Sequence, residues 1–194
     1  MNDPSLLRSV LFVIAGALLP SCAFAHSGEA GGFLSGLAHP ASGTDHVCAM
    51  LAVGLWAAQL GGRNVWAVPL TFVSVMAAGS ALPMLGIGLP FVEQGIVLSV
   101  LLLGVLVAAS VRLPLWLGSA IVGLFALWHG HAHGTEMPAS AAGLFYGLGF
   151  MLTTALLHVA GVISGLKMQH LASEFTTRIA GIGIMLYGAY LAAA

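Results

Sequence analysis

The amino-acid sequence predicts an all-α polytopic membrane protein: a six-helix transmembrane bundle behind a cleaved N-terminal signal peptide. Three observations lead there. The 194 residues are 59% hydrophobic and only 6% charged, with a mean hydropathy of +1.04, whereas soluble domains carry about 25% charged residues. So few charges cannot cover a water-facing surface, and lipid is the alternative solvent. Six apolar segments, each near the ~20 residues that cross a bilayer as a helix, consume the chain from about residue 44 onward. The basic residues, finally, fall only in alternate loops between those segments.

Residues 1–25 read as the signal peptide. Arg8 supplies the positive start, residues 10–19 the apolar stretch, and Ala23-Phe24-Ala25 the small-residue cleavage site, with the helix breaker Pro20 just ahead of it. The rival is an uncleaved anchor. A lipoprotein reading of Leu19-Pro20-Ser21-Cys22 is weaker, because proline stands where a small or β-branched residue is expected. Cleavage after Ala25 makes His26 the first mature residue, where its amine and imidazole together can chelate a metal or simply be solvated. Residues 26–194 then form a single domain. Its Gly-rich, polar stretch 27–43 reads as a periplasmic loop closed by His39-Pro40.

The six spans fall at about 44–61, 64–88, 93–110, 113–131, 141–165 and 175–193. Pro69 and Pro83 predict a kink in the second. A cleaved signal puts the mature N-terminus outside, so loops 1–2, 3–4 and 5–6 face the cytoplasm. Those loops hold Arg63, Arg112, Lys167 and Arg178, while the outer loops hold Glu29, Asp45, Glu93 and Glu136 and no Lys or Arg. This positive-inside distribution places both mature termini in the periplasm and the chain in a bacterial inner membrane. Glycines recur along the spans, with Gly143/Gly147 and Gly161/Gly165 each spaced four apart, and predict a tightly packed bundle.

Composition also excludes functions. A net charge of −1 gives no counterion-release drive toward nucleic acid. No GxxxxGK[ST] phosphate loop is present. Two cysteines, Cys22 in the signal and Cys48 in the first span, make no disulfide framework.

The chemistry lies in two polar clusters on the outer side. His39, Asp45 and His46 stand at the entrance of the first span; His129, His131, His133 and Glu136 end the fourth. Imidazole and carboxylate are ligands for divalent transition metals, and ionisable groups near the hydrocarbon region mark pathways or sites. His46 and Met50 are four apart and share a helical face, as do His129 and His133 if the helix continues. His131 then points elsewhere. Asp45 can be a direct ligand or the acceptor that fixes a histidine tautomer. His158, mid-way along the fifth span, must find a partner or a water cavity. His170 reads as an ordinary cytoplasmic loop residue.

The pattern His39-x5-Asp45-His46, with Met50-x-x-Val53-Gly54-Leu55-Trp56 behind it, resembles the HupE/UreJ family. So do His129-Gly130-His131-Ala132-His133-Gly134-x-Glu136 and Leu157-His158-x-x-Gly161. The resemblance covers essentially the whole chain. It implies an inner-membrane permease for Ni²⁺ or Co²⁺ that feeds hydrogenase or urease maturation. By matching position it implies His39, Asp45, His46, His129, His133 and Glu136 as the metal set, while His131 falls where the family varies. The ion is cargo, and no prosthetic group is expected.

Histidine and carboxylate ligands suit permeation, because they bind an ion firmly enough to dehydrate it yet release it. The sequence places capture between the first and fourth spans, with inward passage by way of His158 and Met50. Neutral histidine ligands predict uptake that falls below about pH 6.5. The membrane potential offers about 2.3 kcal/mol per charge per 100 mV, and a divalent ion gains twice that on entry, so uniport is sufficient. The expected partners are the ion and the lipid bilayer, with a homo-oligomer compatible. The rivals are an intramembrane zinc hydrolase, for which no HExxH is present, a metal-capture subunit of a multi-component importer, and a sensor that never moves its ion. The sequence makes the chain a transporter, not an enzyme.

Overall fold

The second helix in the bundle is apolar on every face, and the rest of the fold is arranged around it. The computed structural model describes residues 31–137, 141–171 and 173–194. The signal peptide, His26 and Glu29 lie outside the described residues. Among those described there are seven helices and no strand: α1 (Gly31–Ser42), α2 (Thr44–Leu60), α3 (Asn64–Met84), α4 (Val92–Ala108), α5 (Leu115–Glu136), α6 (Ala141–Leu171) and α7 (Glu174–Ala193). Three stretches, Asn64–Met84, Leu115–Glu136 and Ala142–His170, are long and apolar enough to cross a membrane; Val92–Ala108 is apolar but shorter.

In α2, ten of the seventeen residues are buried. Met50, Val53 and Trp56 have no exposed surface and form the core with Phe72 and Met76 of α3, Val100 and Leu103 of α4, Val122 and Phe125 of α5, and Phe150 of α6. A helix apolar all round is a core helix, and α2 packs against α1, α3, α4, α6 and α7. The outward faces of the surrounding helices carry Leu70, Trp116, Leu124, Leu144, Leu156 and Leu186, all exposed, as expected of surfaces whose solvent is lipid.

Small residues set the closest approaches. A methyl group on Gly161 would stand 2.5 Å from the carbonyl oxygen of Leu51, and one on Gly165 2.7 Å from the Cβ of Ala58. These two positions therefore let α6 lie backbone to backbone on α2. The other four-spaced pair behaves differently. Gly147 meets only the end of Met137, at 3.9 Å, and with Gly143 lines an apolar groove against α3 and α5.

The stretch 27–43, expected as a loop, is largely the helix α1. Glycine is a poor helix former by propensity, which is why the segment reads as loop. Here the lack of a side chain at Gly36 lets the helix sit directly on the Tyr146 backbone of α6, and Thr153 Oγ1 donates to the Leu37 carbonyl at 2.8 Å. Pro40 lies in the last turn, and the Ser42 hydroxyl donates to the His39 carbonyl at 2.6 Å. Gly43, extended at φ −99° and ψ 116°, separates α1 from α2.

Three further helix ends differ from the sequence reading. α3 stops at Met84, and residues 85–89 form a turn with Gly86 at φ +73°. α5 runs on through the histidines to Glu136. α6 continues to Leu171, which puts His170 in a helical last turn. Away from the histidines, Trp56 Nε1 donates to the Val111 carbonyl at 2.8 Å and Arg178 Nε to the Ala108 carbonyl at 2.8 Å.

Candidate metal centre

Three helix ends converge on one point. α1 brings His39 in its last turn, α2 brings Asp45 and His46 in its first, and α5 brings His129, His133 and Glu136 in its last two. Because α5 stays helical through Gly130 and Gly134, His129 and His133 share a face, and Glu136 follows on the same side. Gly130 and Gly134 sit against the Met76 and Ser80 backbones of α3 and set how closely α5 approaches α3.

Five of the six residues form two triads that share His133, and Asp45 stands outside both. In one, His46, His129 and His133 each offer a ring nitrogen within 4.8 Å of the others; in the other, ring nitrogens of His39 and His133 and a carboxylate oxygen of Glu136 lie equally close. Metal–nitrogen bonds of about 2.1 Å hold neighbouring ligand atoms about 3.0–3.4 Å apart. Closure onto an ion therefore needs neighbouring ligand atoms to approach by at most about 1.8 Å, within side-chain reach. Burial separates the triads in depth. The Glu136 and His39 side chains are 53% and 32% exposed, that of His133 is 5% exposed, and His129 is sealed. The exposed triad borders a cleft of about 180 Å³ also lined by His46 of the other triad and by Ser42, Asp45 and Glu93.

In the exposed triad, His39 Nε2 is 2.8 Å from Glu136 Oε2. His133 Nδ1 lies 3.4 Å from the same oxygen but is not aligned for a hydrogen bond, and both His133 ring nitrogens are buried without a partner. His46 and His133 have ring centroids 4.5 Å apart, and His39 and His133 4.9 Å. Phe150 backs the His133 ring at 4.1 Å.

Asp45 Oδ1 accepts from the His46 amide and lies 2.8 Å from His46 Nδ1. A carboxylate only accepts, so Nδ1 carries the ring proton and Nε2 is left as a lone pair, buried and without a partner. Of the two roles open to Asp45 in the sequence, this geometry is that of the acceptor that sets a tautomer. His129 Nε2 is 2.9 Å from Ser99 Oγ of α4, and its Nδ1 has no partner. Unpaired nitrogens in a buried cluster are costly for a protein, and a divalent ion satisfies them at once. The donor set fits such an ion.

The remaining candidates lie apart. His131 points away to the turn after α3, where the Leu89 amide donates to its Nε2 at 3.1 Å. It belongs to neither triad. Met50 is wholly buried in the core. His158 is 1% exposed with both ring nitrogens unpartnered. Its edge meets Phe72 at 4.9 Å, and Phe72 also meets His129 at 5.5 Å. Neither Ser99 nor Phe150 stood out in the sequence as a site residue. Ser99 is a lone hydroxyl within Val97-Leu98-Ser99-Val100, and a polar residue in an apolar span was the one available signal. Glu93 was legible only as an outer acid.

The family model described as HupE / UreJ protein matches residues 14–191. Protein HupE of Rhizobium leguminosarum bv. viciae is 47% identical over 180 residues, covering 92% of this chain and 94% of that one. No solved structure matches. With its apolar helices and its histidine motifs inside the matched region, the chain belongs to the HupE/UreJ family.

Proposed function

We propose that the chain is an inner-membrane permease that takes up a divalent transition metal, Ni²⁺ first and Co²⁺ second, from the periplasm. The single observation that carries this reading is the pair of triads sharing His133, one more exposed and one more buried, with unpartnered nitrogens on His46, His129 and His133. An ion enters at His39, His133 and Glu136, where a carboxylate attracts it and water still reaches it. It then exchanges His39 and Glu136 for His46 and His129 while His133 keeps hold. Each step replaces ligands one or two at a time, so the ion is never left bare in low dielectric, where its desolvation is prohibitive. Asp45 holds His46 in the correct tautomer throughout.

In this reading residues 1–25 are a signal peptide, residues 26–194 span the membrane six times, and both mature termini are periplasmic. The metal is cargo for hydrogenase or urease maturation, and no prosthetic group takes part. Inward movement past Phe72 toward His158 follows the membrane potential, which gives a divalent ion about 4.6 kcal/mol per 100 mV. The chain is a transporter in this reading, and the HExxH pattern of many zinc hydrolases is absent from its sequence.

The test is radiolabelled nickel uptake by cells that express the wild type or His133→Ala, with cobalt and zinc as competitors. Removing the shared ligand disables both triads, so uptake should fall to background. Undiminished uptake in the variant ends the proposal. Wild-type uptake in a host without any partner ATPase separates a permease from a capture subunit, which would show none.

A further inference from the structure

Ser99 belongs to no ligand motif, yet it reaches a histidine of the inner triad from a fourth helix. It is fully buried on α4. Its Oγ lies 2.6 Å from the Ile96 carbonyl oxygen and 2.9 Å from His129 Nε2. A hydroxyl has one proton and a carbonyl has none. Two bare oxygens at 2.6 Å would repel, so the Ser99 proton lies on the line to Ile96. The contact with His129 must then be filled from the ring side, with Nε2–H donating to Oγ. A neutral imidazole with its proton on Nε2 carries its lone pair on Nδ1. That nitrogen is buried and without a partner, and the ring stands nearly perpendicular to His46, at 83° with centroids 4.8 Å apart.

We propose that Ser99 is a positioning residue of the inner metal site: it fixes His129 as the Nε2–H tautomer and so turns the Nδ1 lone pair toward the ion. Asp45 does the opposite for His46, whose Nδ1–H it accepts. The inner site therefore presents Nε2 from His46 and Nδ1 from His129. Each tautomer is held by a partner outside the ligand set, as second-shell groups hold metal-binding histidines generally. The serine is also what keeps an imidazole in register at a depth where no water reaches it, since α4 contributes no ligand of its own to either triad.

The inference deepens the permease reading and rests on it for its metal arm only. The test uses the full chain in lipid nanodiscs with ¹⁵N-labelled histidine, His129 being assigned by the signal lost in His129→Gln. Without metal, wild-type His129 should show the Nε2–H tautomer and Ser99→Ala should lose it. Co²⁺ titration followed by absorption should show affinity about 10- to 100-fold weaker in Ser99→Ala, and Ser99→Thr, which keeps the hydroxyl, should stay close to wild type. Circular dichroism should be unchanged in both. An Nδ1–H tautomer in the wild type overturns the proposal, as does an unaltered tautomer or unaltered Co²⁺ affinity in Ser99→Ala. If Ser99→Ala does not fold, the wild-type tautomer and the Ser99→Thr comparison decide. A wild type that binds no Co²⁺ sinks the permease reading instead, and the metal-free tautomer still decides the role of Ser99.

Discussion

Gly36→Ala should injure a metal site that it does not touch. A methyl carbon at Gly36 would lie 2.8 Å from the carbonyl carbon of Tyr146 and 2.9 Å from its Cα, and nearer still to its carbonyl oxygen. Non-bonded carbons rest about 3.5–4.0 Å apart. Backbone stands on both sides, so no side chain can yield, and α1 must retreat from α6 by about 0.7–1.1 Å. His39 sits three residues further along the same helix and moves with it. Its 2.8 Å contact with Glu136 then stretches beyond about 3.5 Å, past hydrogen-bonding range, and the exposed triad opens. Overpacking of this kind costs about 1–3 kcal/mol of stability, and a misplacement near 1 Å in a site is worth up to about 100-fold in its performance. We expect nickel uptake at limiting metal to drop at least about tenfold, with a lowered Tm in nanodiscs. Saturating metal should restore part of the uptake, because the inner triad does not include His39. Gly183→Ala, where the added methyl meets nothing within 4 Å, is the control and should be unchanged. Wild-type uptake and Tm for Gly36→Ala would refute both the helical reading of residues 31–42 and the place of His39 in the capture site.

Two further outcomes follow from the same geometry. Asp45→Asn replaces an acceptor-only group by an amide that can also donate, so the His46 tautomer is no longer enforced; Co²⁺ affinity measured by titration should weaken about 10- to 100-fold, and an unchanged affinity would show that Asp45 does not act through His46. His131→Ala removes the acceptor for the Leu89 amide at a cost of about 1 kcal/mol, visible as a lower Tm, while nickel uptake per folded molecule stays at the wild-type level; lost uptake in a folded variant would bring His131 into the pathway.

What the sequence showed and what it hid divide along a physical line. Apolar runs and glycine spacing are one-dimensional signals, so the helical class and a close helix contact at Gly161 and Gly165 were legible, though not that α2 is its partner. The histidine motifs were legible because imidazoles are rare in apolar surroundings and these lie at helical spacing. α1 was not legible, because its glycines lower intrinsic helix propensity while enabling the contact with α6 that stabilises it. That contact is tertiary and leaves no local trace. Gly143 and Gly147 show the converse, with the same spacing as Gly161 and Gly165 but an open groove beside them.

The division of labour at the centre was hidden for the same reason. Sequence gives six ligand-type residues with no order of depth among them; only the fold shows that burial orders them and that His133 alone is common to both triads. A permease needs this inequality. A single site holding all six groups would bind one ion with every donor and release it slowly. Two overlapping triads instead make occupation of one weaken the other, since both require the same imidazole. In the proposed permease, inward movement would be favoured by lone pairs of the inner triad already aimed by Asp45 and Ser99 from outside the ligand set, leaving a small closing movement for the ion to drive. On the proposed function, orientation of the more buried triad and adaptability of the exposed one would let capture from water and release toward the interior coexist in one small bundle.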